Sequence, residues 1–333
     1  MTASLERGLD GPLVAGVDVG GTKTSIVVTD DRDHVLYEHV AQTEQSSLVC
    51  QIAGLVEDAR RHLRQDIAAV GVAIPGFVDP DEGSVSMAVN LGITHLPLGP
   101  LLQTEMDIPT FVEHDARAAA IWLSEQAADG SAGSPTSVAF LAIGTGISAG
   151  VILDGELLRG DNGFAGEVGH VVADPDGAVC ACGLRGCLET IAAGPAIGRL
   201  ADEALAAGRS TILSPHSDAE GVFRAGSAGD EVALEIIDRV ADHLARAIRS
   251  LALTLGVKRV VIGGGVAAAG PALLEPIRSR IARERAASPL ARAALGDATV
   301  ELLSPSQAAG ARGAAGIARQ RIGSPEREGV GKR

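Results

Sequence analysis

Three cysteines and a histidine lie close together in the middle of the chain. They are spaced H-x9-C-x-C-x4-C and comprise His170, Cys180, Cys182 and Cys187. One imidazole and three thiolates make the closed tetrahedral ligand set typical of structural zinc. Gly183 and Gly186 allow the tight turn that this spacing requires. The pattern predicts zinc with no open coordination position, and the alternative is three reduced cysteines in a loop.

Two glycine-rich segments follow apolar runs and could bind phosphate. VDVGGTKT contains Gly20, Gly21 and Thr22, and IGTGISAG contains Gly144, Thr145 and Gly146. Glycine lets a phosphate approach the backbone because it has no Cβ. Asp18 offers the carboxylate oxygens that Mg²⁺ prefers. Either loop alone is also compatible with an ordinary hairpin, and Thr22 stands where a Walker A loop has lysine.

A third glycine-rich segment, VVIGGGVAAAG, ends another apolar run at 260–270. Gly263, Gly265 and Ala268 fit the dinucleotide pattern G-x-G-x-x-A, but a single match of this kind is weak evidence. The segment also lacks a βαβ partner. We therefore interpret it as a strand end that lets a nucleotide approach the backbone.

Three carboxylates stand in positions suited to a polyol substrate. Glu167, in GEVGH, and Glu189, in GCLE, flank the cysteine group and could accept hydrogen bonds from several hydroxyls; a solvated surface role is the alternative. Asp115 follows a predicted strand in VEHDARAAA. It could cap a helix, or act as the general base that takes the proton of a hydroxyl during phosphoryl transfer.

The hydrophobic pattern predicts the elements that carry these residues. Strands are expected at 13–19, 24–30, 34–40, 67–74 and 110–113, and helices at 47–64, 115–126, 230–255 and 307–322. Segment 137–160 repeats the strand–turn–strand pattern of the N-terminus, which indicates an internal duplication. We expect a smaller α/β domain at 12–118, completed by helix 307–322, a larger one at 119–306 with the zinc group, and a ligand cleft between them.

Composition excludes several classes of partner. The net charge of −14 argues against nucleic acid, and 2% aromatic residues leave few stacking surfaces. No apolar run approaches a membrane helix, and the N-terminus lacks the pattern of a secretory signal. These features predict a cytoplasmic protein without a membrane partner, in a compartment that keeps Cys50 and the grouped cysteines reduced.

Seven segments together resemble the ROK family of sugar kinases and repressors, within the actin-like, hexokinase-type ATPase superfamily. They are DVGGTKT (18–24), PGFVD (75–79), EHDARAAA (113–120), IGTGISAG (143–150), GEVGH (166–170), CACGLRGCLE (180–189) and GGGV (263–266). They occur in the family's order over residues from near 14 to near 320. GEVGH combined with the spaced cysteines is the most specific match.

The resemblance implies a function as well as a fold. The fold is two actin-like, ribonuclease-H-like α/β domains that close over sugar and ATP. The activity is that of a hexokinase- or glucokinase-type phosphotransferase acting at the 6-hydroxyl of a hexose, glucose first, with Mg²⁺ accompanying ATP and zinc as a structural ion. An N-acetylhexosamine, an aminosugar or a cyclitol remains open as acceptor, polyphosphate as donor, and a dimer or tetramer as the assembly.

The resemblance also assigns residues. Asp115 is the implied catalytic base. ATP and its phosphates are implied for Asp18, Gly20, Gly21, Thr22, Lys23, Gly144, Thr145, Gly146, Gly264 and Gly265. Sugar contacts are implied for Gly76, Asn90, His114, Asp115, Glu167, His170 and Glu189. His170 would use one ring nitrogen for zinc and the other for the sugar.

Two residues depart from the family's pattern. His114 and Arg117 stand where the family usually has asparagine. Neutral imidazole can donate and accept like an amide, but it is bulkier. We expect His114 to replace the asparagine in contacting the sugar, which leaves the identity of the sugar open.

A sugar-sensing regulator is the main alternative to an enzyme. Repressors of the family carry a winged helix-turn-helix ahead of this fold, and the first predicted strand begins at Leu13, which leaves no room for one. The acidic charge also disfavours a role on DNA. A catalytically silent sensor is disfavoured because Asp18, Asp115 and the glycine turns are all present.

Overall fold

The chain contains two compact α/β units. The computed structural model describes residues 11–128 and 137–323. One unit comprises Met1–Leu123 with Ala308–Arg333, and the other comprises Ser124–Gln307. Within the described ranges, no helix combines the length and apolar character that crossing a membrane requires.

The first unit is built on a five-stranded sheet. Its strands are β1 (Leu13–Val19), β2 (Lys23–Thr29), β3 (Val35–Gln42), β4 (Ile67–Ile74) and β7 (Thr110–His114), and their order is β3-β2-β1-β4-β7. The first three strands form an antiparallel meander, whereas β4 and β7 run parallel to β1. A small hairpin of β5 (Phe77–Asp79) and β6 (Ser84–Met87) follows β4. The carboxyl ends of β1, β4 and β7 therefore lie side by side.

Helices cover the two faces of this sheet. Helix α1 (Leu48–Leu63) buries Leu48, Ile52, Leu55, Val56 and Ala59. Arg64, which follows its last residue, has a left-handed backbone conformation. This helix and α2 (Leu98–Met106) pack on one face, where Val70, Val72, Ile74 and Val112 form the core. Helix α3 (Asp115–Ala128) follows β7, and α10 (Ala309–Gly323) covers the opposite face through its alanines.

Helix α10 approaches the sheet more closely than side chains would allow. A Cβ on Gly71 would lie 1.8 Å from the Ala314 carbonyl oxygen, and one on Gly16 would lie 1.8 Å from that of Ala311. Gly16 and Gly71 are paired across β1 and β4. The glycines therefore form a flat strip on which the backbone of α10 rests.

This packing gives a stability prediction. Gly71→Ala should lower the free energy of unfolding by about 1–3 kcal/mol, because the new methyl group displaces α10 from the sheet. The matched control is Gly54→Ala, on the exposed side of α1, where an added Cβ meets nothing within 4 Å. The control should raise stability by about 0.5–1 kcal/mol. Denaturant unfolding of both variants measures this, and equal effects would show that α10 does not rest on Gly71.

The second unit repeats the sheet plan of the first. Its strands are β8 (Val138–Ile143), β9 (Ile147–Leu153), β10 (Glu156–Leu157), β11 (Arg259–Gly263) and β12 (Thr299–Leu302), in the order β10-β9-β8-β11-β12. Again an antiparallel meander is followed by two strands parallel to its first member. The meander predicted in each half of the chain is confirmed.

Among the described residues of this unit, six helices pack around the second sheet. They are α4 (Glu189–Ala192), α5 (Gly194–Ala206), α6 (Ala219–Ser227), α7 (Glu231–Leu255), α8 (Pro271–Ala287) and α9 (Pro289–Leu295). Helix α7 begins at Asp230, whose side chain accepts a hydrogen bond from the Ala233 amide at 2.9 Å. Its apolar side, which includes Val240, Leu244 and Ile248, is buried in the core of the unit. The helix predicted at 230–255 is therefore confirmed.

Candidate functional site

The turn between β1 and β2 presents the first glycine-rich segment. The Gly20 amide donates to the Lys23 carbonyl oxygen at 2.9 Å, which closes the turn, and Gly21, Thr22 and Lys23 are exposed. A Cβ on Gly21 would lie 3.6 Å from the carbonyl oxygen of Asn90. The turn and Asn90 are thus neighbours, although they come from distant parts of the chain.

Two residues that the sequence analysis missed hold this turn in place. The Thr43 hydroxyl donates to the Gly20 carbonyl oxygen at 2.7 Å. The Gln45 side-chain amide donates to the Asn90 carbonyl oxygen at 3.1 Å and reaches that of Gly21 at 3.4 Å. No motif marks either residue, because each acts through contacts formed only in the folded unit.

Gly76 occupies a turn after β4 that only glycine fits. Its φ is +108°, and a Cβ there would lie 2.0 Å from the Met87 carbonyl oxygen. Asn90 lies in a short 3-10 helix, Val89–Leu91, and is exposed. Both residues predicted to contact sugar in this region therefore lie outside the five-stranded sheet.

Asp115 begins α3 directly after β7. Its Oδ1 accepts a hydrogen bond from the Ala116 amide at 2.6 Å and lies 3.3 Å from Nδ1 of His114. The side chain of Asp115 is 33% exposed, whereas that of His114 is 7% exposed. A substrate hydroxyl can therefore reach Asp115, whose Oδ1 is held in place by the protein.

The second departure from the family's pattern, Arg117, lies inside the unit. Its side chain is 4% exposed, and Nη1 is 3.7 Å from Oε1 of Glu113, which is 1% exposed. A buried cation requires such a partner, because desolvation strongly disfavours an unpaired charge. Arg117 is thus placed as part of a buried ion pair.

Asp18 has an unusual protonation state. Burial, and after it the negative charge of Asp115, raises the pKa of Asp18 from 3.8 to about 7. The first turn of α10 is also close, because a Cβ on Gly310 would lie 2.4 Å from Oδ2 of Asp18. A cation placed between Asp18 and Asp115 would favour the ionised carboxylate. The pair is therefore suited to holding a hydrated magnesium ion beside a base.

The raised pKa predicts how stability depends on pH. The folded protein holds a proton on Asp18 between pH 3.8 and about 7 that the unfolded chain loses, so stability falls as pH rises through this window. Without ATP or magnesium, Asp18→Asn should have a higher Tm than the wild type at pH 8, and the difference should shrink toward pH 5. Thermal melts across pH measure this. Asp66→Asn, at an exposed ion pair with Arg60, serves as the control and should show no such trend.

In the second unit, the turn between β8 and β9 presents the other glycine-rich segment. The Gly144 amide donates to the Gly146 carbonyl oxygen at 2.9 Å. A Cβ on Gly144 would lie 4.0 Å from the Gly265 amide nitrogen, and Gly264 has a φ of +85° and leaves no room for a Cβ, which would lie 2.4 Å from the Ile143 carbonyl oxygen. The segments 144–146 and 264–265 therefore lie together at the ends of β8 and β11.

Glu189 connects this turn to the cysteine group. Its Oε2 accepts a hydrogen bond from the Ile147 amide at 2.9 Å, and Oε1 lies 3.9 Å from Sγ of Cys180. A Cβ on Gly146 would lie 2.6 Å from Oε2. One oxygen of Glu189 is thus hydrogen-bonded to the turn, a contact that no sequence pattern indicates.

The four predicted metal ligands converge. The ligand atoms of His170, Cys180, Cys182 and Cys187 all lie within 4.8 Å of one another. Sγ of Cys182 is 3.7 Å from Sγ of Cys187, and Nδ1 of His170 is 3.6 Å from Sγ of Cys180. Zinc–sulfur bonds of about 2.3 Å at tetrahedral angles require a sulfur–sulfur separation of about 3.8 Å. The donor set and its spacing fit zinc.

The two buried thiols have raised pKa values, whereas a hydrogen bond from the backbone of Leu184 lowers the pKa of Cys182. Burial, followed by the neighbouring thiols of Cys182 and Cys180, raises the pKa of Cys187 to about 12. Burial likewise raises the pKa of Cys180. Metal binding requires the thiolate form, and a bound cation supplies the charge that stabilises it.

GEVGH packs against β9 next to this group. A Cβ on Gly166 would lie 1.9 Å from the Ala149 carbonyl oxygen, and one on Gly169 would lie 2.1 Å from that of Ile147. The Glu167 carbonyl oxygen accepts a hydrogen bond from the His170 amide at 3.1 Å. Because Nδ1 of His170 faces the thiols, Nε2 is left for another ligand. The glycines thus allow the segment with Glu167 and His170 to pack closely against β9.

Comparisons with known proteins agree with these features. The model of the ROK family matches residues 14–321. A glucokinase of Halalkalibacterium halodurans is 34% identical over 278 residues, 79% of this chain and 83% of that protein. An N-acetylmannosamine kinase of Escherichia fergusonii is 35% identical over 279 residues, 81% of this chain and 89% of that protein.

A solved structure is also similar. A ROK family glucokinase from Streptomyces griseus, in complex with glucose and AMPPNP, has a TM-score of 0.75 and 30% identity, covering 92% of this chain and 99% of that one. This likeness and the two matching sheets confirm the predicted actin-like α/β fold class. The chain belongs to the ROK family.

Proposed function

We propose that the protein is an ATP-dependent sugar kinase that phosphorylates a hexose. The observation that carries this proposal is the pair of carboxylates at the carboxyl ends of β1 and β7, which lie on either side of β4 in the first sheet. Asp115 is accessible with one oxygen held, and burial, followed by the nearby charge of Asp115, raises the pKa of Asp18. A general base beside a magnesium-type carboxylate is what phosphoryl transfer to a hydroxyl requires.

The reaction uses Asp115 as the base. Oδ2 of Asp115 accepts the proton of the attacking sugar hydroxyl. At the same time the sugar oxygen forms a bond to the γ-phosphorus of ATP. The bond between this phosphorus and the β–γ bridging oxygen breaks, and ADP leaves with the electron pair. Asp18 would hold the magnesium ion that neutralises charge on the phosphates.

We assign binding residues within each unit separately. In the first unit, Gly20, Gly21, Thr22 and Lys23 would bind ATP phosphates through backbone amides, and in the second unit Gly144–Gly146, Gly264 and Gly265 would do so. Gly76, Asn90, Glu167, His170 and Glu189 would bind the sugar. Zinc, when bound, would fix the ring of His170 so that Nε2 donates to a sugar hydroxyl.

Glucose is the acceptor we propose, through its 6-hydroxyl. The name of the H. halodurans relative supports it, whereas the E. fergusonii relative is named for N-acetylmannosamine. A single residue in the sugar pocket can change the preferred acceptor by a large factor. N-acetylhexosamines, aminosugars and cyclitols are therefore the acceptors to compare with glucose.

Phosphorus NMR of the product tests this proposal. The protein is incubated with magnesium, ATP and each sugar in turn, and proton-coupled spectra locate the new phosphate ester. We expect a sugar monophosphate whose phosphorus couples to the two protons of a primary carbon. A product phosphorylated at a ring carbon would contradict the assignment of the 6-hydroxyl, and no new ester with any sugar would contradict the kinase itself.

A further inference from the structure

His114 directly precedes the proposed base in the chain, yet its ring has no hydrogen bond at Nδ1. It is the last residue of β7 and is 6% exposed. Its Nδ1 is buried and makes no hydrogen bond with the described residues. A buried polar atom without a partner is uncommon, because its desolvation costs about 1–3 kcal/mol. Such an atom calls for a functional explanation.

The position of His114 on β7 separates it from the neighbouring ion pair. Side chains alternate along a strand, so His114 shares a face with Val112, and Glu113 points to the opposite face. In register, His114 pairs with Ile74 and Glu113 with Ala73. Val112 and Ile74 belong to the apolar core beneath α1 and α2. The ring of His114 therefore sits on the apolar side, away from the pair of Glu113 and Arg117.

The polar group that the ring does approach is Asp115. Nδ1 lies 3.3 Å from Oδ1, the same oxygen that accepts the Ala116 amide at 2.6 Å. Two donors on Oδ1 would fix the plane of the carboxylate, and Oδ2 makes no hydrogen bond with the described residues. Catalytic hydrogen bonds often shorten when the substrate binds.

We propose that His114 is a positioning residue that donates from Nδ1 to Oδ1 of Asp115 and thereby aims Oδ2 at the substrate hydroxyl. This inference rests on the proposed kinase function and replaces a direct contact of His114 with the sugar, for which a side chain 7% exposed offers little surface. The imidazole acts through Asp115, so it should affect kcat and leave the KM of the sugar nearly unchanged.

The test compares three variants with distinct reach. The amide nitrogen of asparagine is bonded to Cγ, as Nδ1 is, so His114→Asn keeps a donor toward Oδ1. His114→Gln places its amide where Nε2 lies, and His114→Leu fills space without a donor. We expect His114→Asn to retain kcat within about threefold, and the other two to lose roughly 10- to 100-fold in kcat. The KM of the sugar and the ranking of sugars should hold in all three.

Several results would overturn the inference. If His114 only packs, the leucine variant should keep both Tm and kcat, and the smaller, polar asparagine should be the one that fails. If His114 contacts the sugar, the KM of the sugar should rise and the ranking of sugars should change while kcat holds. A wild type without sugar-dependent turnover contradicts the kinase proposal and this inference together. An active wild type with any other order of variants contradicts this inference alone.

Discussion

Replacing Asp115 with asparagine should lower kcat by roughly 10²–10⁴-fold, the usual contribution of a general base. The amide cannot take the proton of the sugar hydroxyl, but its oxygen can still accept the Ala116 amide that Oδ1 holds now. Sugar affinity should change much less, because the amide still forms hydrogen bonds with a hydroxyl. Steady-state kinetics with saturating ATP, together with calorimetric sugar binding, separates the two effects.

The control for this substitution is Asp66→Asn, in the same unit. The side chain of Asp66 is 92% exposed, and its ion pair with Arg60 lies on the surface. This variant should match the wild type in kcat and in sugar affinity. An unchanged kcat in Asp115→Asn would remove Asp115 from the mechanism. A wild type that binds sugar without consuming ATP would favour a sensor.

Loss of the metal should have the second large effect. Cys182→Ser should reduce zinc from one ion per chain to near zero, lower the Tm and raise the KM of the sugar more than that of ATP. Structural zinc contributes about 10–16 kcal/mol of binding free energy in zinc-finger peptides, so losing one of four ligands affects the fold of the loop as well as the ion. The sugar is affected more because His170 belongs to both sites in our proposal.

Cys50→Ser is the matched control, since Cys50 is exposed and is not part of the ligand group. It should keep zinc content, Tm and kinetics. Elemental analysis and thermal melts of the two variants measure the difference. A wild-type preparation that is fully active and free of zinc would rule out the metal as part of this site.

Elements with a clear hydrophobic pattern could be predicted from the sequence alone. The strand Ile67–Ile74 was expected at those residues, because a continuous apolar run bounded by polar and turn residues is typical of a buried strand. Helix α7 was expected because its apolar residues recur along one side for 25 residues. Every strand and helix named in the sequence analysis lies within two residues of its observed bounds.

Weakly periodic elements were not predicted. Helix α8 contains Pro276 and many charges, and α2 begins with Leu-Gly-Pro, so neither has a clear apolar stripe. Strand β12 has four residues, too few for alternation to stand out. These elements form because the two sheets and α7 offer surfaces on which they pack. A local sequence pattern carries no information about those surfaces.

The candidate site residues could be named from the sequence, but the contacts that hold them in place could not. Spacing predicted that the four candidate metal ligands would lie together, and the structure brings their ligand atoms within 4.8 Å of one another. The bond from the Ile147 amide to Glu189 joins residues 42 apart. The expected strand 110–113 stops one residue before His114; one more residue of alternation would have placed His114 with Val112 in the core. The signal available in the sequence was a polar residue at a position where the alternation of the strand predicts burial.

Sugar-dependent release of ADP by the wild-type protein tests the central claim most directly. The measurement is a coupled ADP assay with magnesium and ATP over glucose, N-acetylglucosamine, N-acetylmannosamine, an aminosugar and a cyclitol. The same sugars are then tested with polyphosphate as donor, and there the phosphorylated sugar itself is detected. We predict that ADP release requires a sugar, is fastest with glucose and is abolished when magnesium is withheld. ADP release at the same rate with and without every sugar, or none at all from a zinc-loaded, folded preparation, would contradict the account.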